Sequence, residues 1–209
     1  SEYSKADILE KVPGCGDKIA VINNGLNDVA FGQMETAGDA KGSEQAKDRR
    51  NDYMAAMTSG LPHKNAKGVL AAYETYYKLV KDKQIKDKNE KEPLDLVVFG
   101  LSDTSLYPKM DKEAAAHVRC YKFFEKFEDM CRMAAGAKAY LFLSYVEGFG
   151  FPPLEAMQLG VPVVCSNRSS LPEVVADAGI LVEPDDDETI AQALIQVTTN
   201  EELRKELIQ

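Results

Sequence analysis

Two glutamates flank a glycine-rich segment whose residue types suit the binding of phosphate and sugar groups. Glu147 and Glu155 stand at the ends of EGFGFPPLE, with Gly148 and Gly150 between them. Glycine lets a ligand approach the backbone because no Cβ is in the way, and prolines are tolerated in a first helical turn. The free N–H groups at the start of such a helix attract phosphate and other oxygen-rich groups. The segment therefore predicts a site for a phosphorylated, polyhydroxylated ligand.

The runs around this segment predict the elements that position it. An apolar run at 138–144 precedes the turn, Pro152 and Pro153 suit the first positions of a helix, and a second apolar run at 161–165 follows. Such a succession is typical of strand, turn, helix and strand. Other strands are predicted at 18–23, 53–58, 94–100, 118–124 and 179–182, and helices at 1–10, 65–80, 128–136, 153–159, 171–176, 188–198 and 201–208.

The alternation of strands and helices predicts an α/β fold, with a Rossmann-like parallel sheet and helices on both faces. We expect one domain, since no internal repeat or clear boundary is visible. The polar stretches 32–50 and 81–92 are interpreted as a loop or weak helix and as a solvated connector. The stretch 101–127 gives the least certain pattern, with a strand at 118–124 as the option for its second half.

Composition narrows the class of protein. The chain has 209 residues, enough for one sizeable α/β domain, and its 34 acidic against 25 basic residues give a net charge of −9. That charge argues against a nucleic-acid binder, which needs a basic surface. No apolar run approaches the roughly 20 residues that span a bilayer. The four cysteines are scattered without metal-ligand spacing, so we expect reduced thiols and no zinc.

These motifs resemble those of the retaining GT-B glycosyltransferases, in particular glycosyltransferase family 4. That family carries two glutamates separated by seven residues around a core like GFG[LF]PPLEAM, and residues 148–157 fill every position of it. LPHKNAKGVLAAY, at 61–73, resembles the segment of the family in which a lysine precedes an amphipathic helix. Residues 1–27 are similar to its opening helix and first strand.

The resemblance implies half of a larger enzyme. Complete members have two Rossmann-like domains, and the nucleotide sugar binds mainly to the second. We therefore expect residues 1–209 to form the C-terminal, donor-binding half, without the N-terminal acceptor domain of the same enzyme. A free-standing small transferase is the alternative.

The resemblance also assigns roles to side chains. Glu155 would accept hydrogen bonds from the ribose hydroxyls, Glu147 would face the transferred sugar, and Lys64 would neutralise charge on the departing diphosphate. Each residue also has a simpler interpretation. Glu155 could only stabilise the start of a helix, Glu147 could be an acidic residue in solvent, and Lys64 could be a solvated lysine. The remaining donor-binding candidates are in the glycine-rich turn: Gly148, Phe149, Gly150, Phe151 and Pro152. The alternative for the two glycines is a tight turn that binds no ligand.

The sequence departs from the family where many members carry an arginine shortly before the lysine. Residues 58–61 contain none, His63 is a weak replacement for a guanidinium, and Arg168 is an alternative cation or a surface charge. The glycines at 14–16 lack the dinucleotide-binding pattern. The acidic run 183–188 fits helix capping better than metal binding. We expect no metal and no cofactor.

As a whole, the resemblance implies an enzyme that transfers a sugar from a nucleoside diphosphate sugar to a saccharide or lipid-linked acceptor, with retention of configuration. Such enzymes build glycans in the cytoplasm or at the cytoplasmic face of the membrane, where peripheral association is an open option. The first alternative is a degenerate, non-catalytic nucleotide-binding or interaction module. A GT-B relative of different chemistry, an epimerase or a phosphorylase, is the second.

Overall fold

Six parallel strands form one sheet in the computed structural model, which describes residues 1–26, 53–82 and 92–208. The strands are β1 (Tyr53–Met57), β2 (Asp95–Phe99), β3 (Val118–Tyr121), β4 (Tyr140–Phe142), β5 (Val163–Ser166) and β6 (Gly179–Val182). Their order is β3-β2-β1-β4-β5-β6. The predicted Rossmann-like parallel sheet is thus confirmed.

The described residues also form eight α-helices and two short 3₁₀ turns. The turns are Gly16–Lys18 and Pro62–Lys64. The helices are α1 (Glu2–Lys11), α2 (Ala66–Lys81), α3 (Lys112–Ala116), α4 (Phe127–Ala135), α5 (Phe151–Gln158), α6 (Leu171–Val175), α7 (Asp187–Thr199) and α8 (Glu201–Leu207).

Helices cover both faces of the sheet because alternate side chains of each strand point to opposite faces. On β2, Leu96 and Val98 pack into the core beneath α2, α3, α7 and α8. Val97 and Phe99 pack into a second core with residues of α4, α5 and α6. The central strands are buried on both sides, as expected of a parallel sheet.

The strand order reverses between β1 and β4, which are neighbours at the centre of the sheet. In open α/β sheets, the connections that follow two such strands diverge and leave a crevice at their carboxyl ends. Here the turn Pro62–Lys64 follows β1, and the glycine-rich segment follows β4. The topology therefore places Lys64 and Glu147 at the same edge of the sheet.

Two expectations differ from the structure. The strand predicted at 18–23 is wrong, because the chain is irregular after the turn Gly16–Lys18 and forms no strand. Ile22 is 85% exposed, and a short apolar run becomes a strand only where a neighbour pairs with it. The helix α3 was not expected; Asp111 caps it by accepting hydrogen bonds from the N–H groups of Glu113 and Ala114.

Other elements agree with the predictions to within a few residues. The motif helix α5 begins at Phe151, two residues earlier than predicted, and β3 ends at Tyr121. The polar stretch 32–50 lies outside the described residues, as does most of the connector 81–92.

Asn65 provides a test of how the start of α2 is held. It is buried with a left-handed φ of 51°, its Oδ1 accepts from the N–H of Gly68 and its Nδ2 donates to the carbonyl of Pro184. We expect Asn65→Gly to lower the free energy of unfolding by about 1–3 kcal/mol through the lost hydrogen bonds. Asn65→Ala should lower it by about 1 kcal/mol more, because alanine is strained at positive φ. Urea unfolding measures both, and equal losses would contradict the strain.

Candidate functional site

An ion pair spans the carboxyl ends of β1 and β4. The Nζ of Lys64 lies 2.7 Å from Oε1 of Glu147, and the two side chains are only 26% and 13% exposed. Partial shielding from water strengthens such a pair relative to one at the surface. The structure thus brings together the two residues predicted to be catalytic.

The backbone around Lys64 is held by hydrogen bonds from residues that directly follow β1 and β4. The buried Thr58 hydroxyl, just after β1, donates to the carbonyl of Lys64 at 2.6 Å. The N–H of Tyr145, just after β4, donates to the carbonyl of His63 at 2.8 Å. The Lys64 ammonium also lies 5.7 Å from the centre of the Phe142 ring. These contacts hold the lysine in the crevice.

The glycine-rich turn needs glycine at position 150 and leaves space at position 148. Gly150 has a φ of 114°, and a Cβ there would lie 2.7 Å from Cδ2 of Leu171. A Cβ at Gly148 would meet no protein atom within 4 Å. Residues 148–151 supply amide N–H groups that donate to no acceptor within the described part of the chain. The turn can therefore offer these groups to an oxygen-rich ligand.

Helix α1 braces the turn from outside. The hydroxyls of Ser1 and Ser4 both lie 3.3 Å from the carbonyl oxygen of Gly148 and donate to it. The carboxylate of Glu173, on α6, accepts from the N–H of Glu2 at 2.9 Å and so caps α1. Helix α1, which the sequence predicted at 1–10, therefore helps to hold the glycine-rich turn in place.

Glu155 is not part of the ion pair. It is half-buried in α5, and burial raises the pKa of its carboxyl. Burial also raises the pKa of the Cys131 thiol and of the Tyr140 hydroxyl, with the nearby Glu155 charge as a secondary cause. Glu155 therefore sits beside α4 and β4, and no hydrogen bond to its carboxylate is formed by any described residue.

A cleft of about 420 Å³ opens beside Lys64, at the carboxyl ends of β1, β2 and β3. The sequence analysis did not find it. Its wall contains Tyr121, Phe123, Phe124, Phe127 and a second cation, Lys122. The rings of Tyr121 and Phe124 are stacked at 5.5 Å. The signal in the sequence is the run YKFFEKF at 121–127, in which one aromatic residue ends strand β3 and three more follow it.

The remaining polar candidates have structural partners. Arg168 pairs with Glu183, so it is engaged outside the Lys64–Glu147 pair. In the acidic run 183–188, Asp186 accepts from the N–H of Thr189 and caps α7, as capping predicts. No group of three or more potential metal ligands occurs among residues 1–26, 53–82 and 92–208. That the site works without a metal stays a prediction.

Comparison with known families decides the class of the chain. The family model described as "Glycosyl transferases group 1" matches residues 40–209. The chain belongs to this family. The match confirms the resemblance found in the motifs, while membership of family 4 in particular stays a prediction.

Two bacterial relatives of this glycosyltransferase family are similar over most of the chain. "O-antigen chain mannosyltransferase B" of Escherichia coli is 34% identical over 145 residues, which are 69% of this chain and 36% of the relative. "O-antigen chain mannosyltransferase RfbU" of Salmonella typhimurium is 25% identical over 196 residues, or 92% of this chain and 48% of the relative. The chain thus spans less than half the length of either protein.

Solved glycosyltransferases share the fold. A structure of mutant S. aureus TarM with fondaparinux, α-GlcNAc-glycerol and UDP covers 99% of the chain at a TM-score of 0.70 and 17% identity. A glycosyltransferase from Rickettsia africae covers 100% at 0.67 and 18%. The chain fills 37% and 55% of those two chains. The chain therefore has the fold of the matching part of these GT-B structures. No helix in the described residues is both long and apolar enough to cross a bilayer.

The raised pKa of Glu155 predicts a dependence of stability on pH. Burial disfavours the ionised form in the fold, so the stability given by the protonated form is lost as the pH rises through the folded-state pKa. We therefore expect Glu155→Gln to raise the melting temperature of the ligand-free protein more at about pH 8 than at about pH 4. Glu206→Gln, at an exposed position of α8, controls for the loss of one charge. An equal effect of Glu155→Gln at both pH values would contradict the assignment.

Proposed function

We propose that this chain binds a nucleoside diphosphate sugar, and that its enzyme transfers the sugar to an acceptor hydroxyl with retention of configuration. The Lys64–Glu147 pair at the point of strand reversal carries the proposal. Ligands of open α/β sheets bind in this crevice. A cation, unpaired amides and a carboxylate meet there, which are the groups that a phosphorylated sugar requires.

In this proposal, the diphosphate displaces Glu147 from Lys64. The ammonium and the amides of residues 148–151 then hold the phosphate oxygens, and the released carboxylate accepts a hydrogen bond from a sugar hydroxyl. Neutralisation by these groups lets the site work without a metal. The close pairing of Lys64 and Glu147 supports this exchange because both side chains already face the same space.

The aromatic cleft fits the other end of the donor. Bases stack on aromatic rings with stabilisation of about 1–3 kcal/mol each, and Tyr121 and Phe124 are in the cleft wall next to Lys64. We assign the base to this cleft and the ribose hydroxyls to Glu155, whose carboxylate has free acceptor capacity. The presence of UDP in the TarM complex is consistent with a nucleotide donor.

The proposed reaction has one displacement step and no covalent enzyme intermediate. The bond from the anomeric carbon to the diphosphate oxygen breaks, with Lys64 stabilising the charge that develops on that oxygen. The acceptor oxygen attacks the same face of the sugar, and its proton passes to the departing diphosphate. Glu147 stabilises positive charge on the sugar during this step.

We place mannose first among the candidate sugars because similar proteins are named as mannosyltransferases. The acceptor is a saccharide or a lipid-linked saccharide, and the acceptor domain of the same enzyme is the main partner of this half. Both are part of the proposal, since the chain spans 36% and 48% of these relatives.

One observation favours the non-catalytic alternative. Residues 58–61 supply no arginine, and Lys64 is already paired with Glu147. Under that alternative, the chain binds nucleotide with no contribution from the sugar.

Calorimetric titration of the chain tests the donor site. The probes are UDP, GDP and ADP, their monophosphates and their common sugar conjugates, mannose conjugates included, with and without Mg²⁺. We expect binding of one diphosphate series, indifferent to Mg²⁺. Lys64→Met should weaken its binding about tenfold or more, because a charge-assisted hydrogen bond is lost. Lys67→Met, an exposed lysine on the next turn, is the matched control.

Two outcomes would contradict the proposal. Equal losses in the Lys64 and Lys67 variants would remove the lysine from the diphosphate site. A wild-type chain that binds nucleoside diphosphates and their sugar conjugates with equal affinity would favour the non-catalytic module.

A further inference from the structure

Glu147 is held by its backbone as well as by its side chain. Its N–H donates to Oγ of Ser169 at 2.9 Å. The hydroxyl of Ser170 lies 2.9 Å from the carbonyl oxygen of Glu147 and 2.7 Å from that of Phe149. A hydroxyl carries one proton, so Ser170 donates to one of these carbonyls at a time. Two consecutive serines between β5 and α6 therefore hold the first residues of the glycine-rich turn by hydrogen bonds.

The two serines give up local stability to make these contacts. Ser169 has a φ of 54°, in the left-handed region that non-glycine residues rarely adopt. Ser170 stands at the N-cap of α6, yet its side chain makes no capping hydrogen bond to that helix. Serine at this position usually caps, whereas this fully buried hydroxyl turns to the other loop. Strain and a forgone cap together are typical of residues that serve a site.

We propose that Ser169 and Ser170 are positioning residues that keep Glu147 directed at the donor sugar once Lys64 has turned to the diphosphate. This proposal rests on the proposed function of the site. In the ligand-free protein, Lys64 holds the Glu147 carboxylate. When the lysine leaves for the phosphates, the hydrogen bonds to Ser169 and Ser170 are those that Glu147 retains within the described part of the chain. Their effect should therefore be larger on the sugar's share of binding than on that of the nucleotide.

Calorimetry on the chain measures that share. The quantity is the affinity for the preferred sugar nucleotide divided by the affinity for the same nucleoside diphosphate alone. We expect Ser170→Ala to lower this ratio about five- to tenfold, as for the loss of one buried hydrogen bond. The affinity for the diphosphate alone should fall less, through the lost contact to the Phe149 carbonyl. Ser166→Ala is the matched control. Its hydroxyl is equally buried and accepts from the N–H of Arg168, and it forms no hydrogen bond to the turn among the described residues.

Ser169 gives a second, independent pair of variants. Ser169→Ala keeps the strained backbone, and Ser169→Gly relieves it, but both remove the acceptor of the Glu147 N–H. We expect the two to lower the sugar ratio equally, although the glycine variant melts at a higher temperature than the alanine variant. A merely structural role would make the ratio follow the melting temperature. Hydrogen exchange of the Glu147 amide, faster in both variants than in Ser166→Ala, checks the contact without any ligand.

The outcomes separate this inference from the proposed function. If the wild type favours the sugar nucleotide and the Ser169 and Ser170 variants keep its ratio, the positioning role is wrong and the donor site stands. If the wild type shows no preference for the sugar conjugate, the proposed function fails and the inference fails with it. A loss of ratio in these variants but not in Ser166→Ala supports both.

Discussion

The ion pair between Lys64 and Glu147 is the interaction around which the site is arranged. It joins the connections that follow β1 and β4, the two strands at which the sheet order reverses. Partly buried charges are stable only when each has its partner, since removal of one leaves the other uncompensated. The pair therefore holds the two walls of the crevice in register while no ligand is bound, and it keeps both functional groups at the same place.

The supports of this pair are backbone contacts and not further charges. Thr58 fixes the carbonyl of Lys64, and Ser169 and Ser170 fix the peptide groups around Glu147. In the described residues, three non-glycine residues have positive φ, and two of them, Asn65 and Ser169, are beside these contacts. Strain that is concentrated next to a site indicates that the surrounding fold determines those conformations. The backbone on both sides of the ion pair is thus held by the fold.

The local sequence pattern was enough to predict the helices and strands. It was not enough to predict which of their side chains come into contact in the fold. The strand Gly179–Val182 and the helix α2 follow from runs of apolar residues, which report burial directly. The same rule failed at 18–23, because a strand also needs a neighbour. Lys64 and Glu147 are 83 residues apart, and only the strand order brings them to 2.7 Å. The aromatic cleft and the contacts of Ser169 and Ser170 were not predicted for the same reason, because they depend on tertiary packing.

The net negative charge of the chain limits how the crevice can hold an anion. A protein with a net charge of −9 repels anions at long range, so an anion must be held by local donors. Neutral amides at the start of α5 supply donors without a counter-charge. Lys64 supplies a full charge, which the Glu147 carboxylate cancels in the structure. In the proposed function, the ligand replaces this carboxylate. A weak anion cannot compete with a carboxylate at 2.7 Å, whereas a diphosphate brings more charge and more acceptors. In the proposed donor site, the ion pair would therefore act as a threshold that favours the diphosphate of a sugar nucleotide over simple anions.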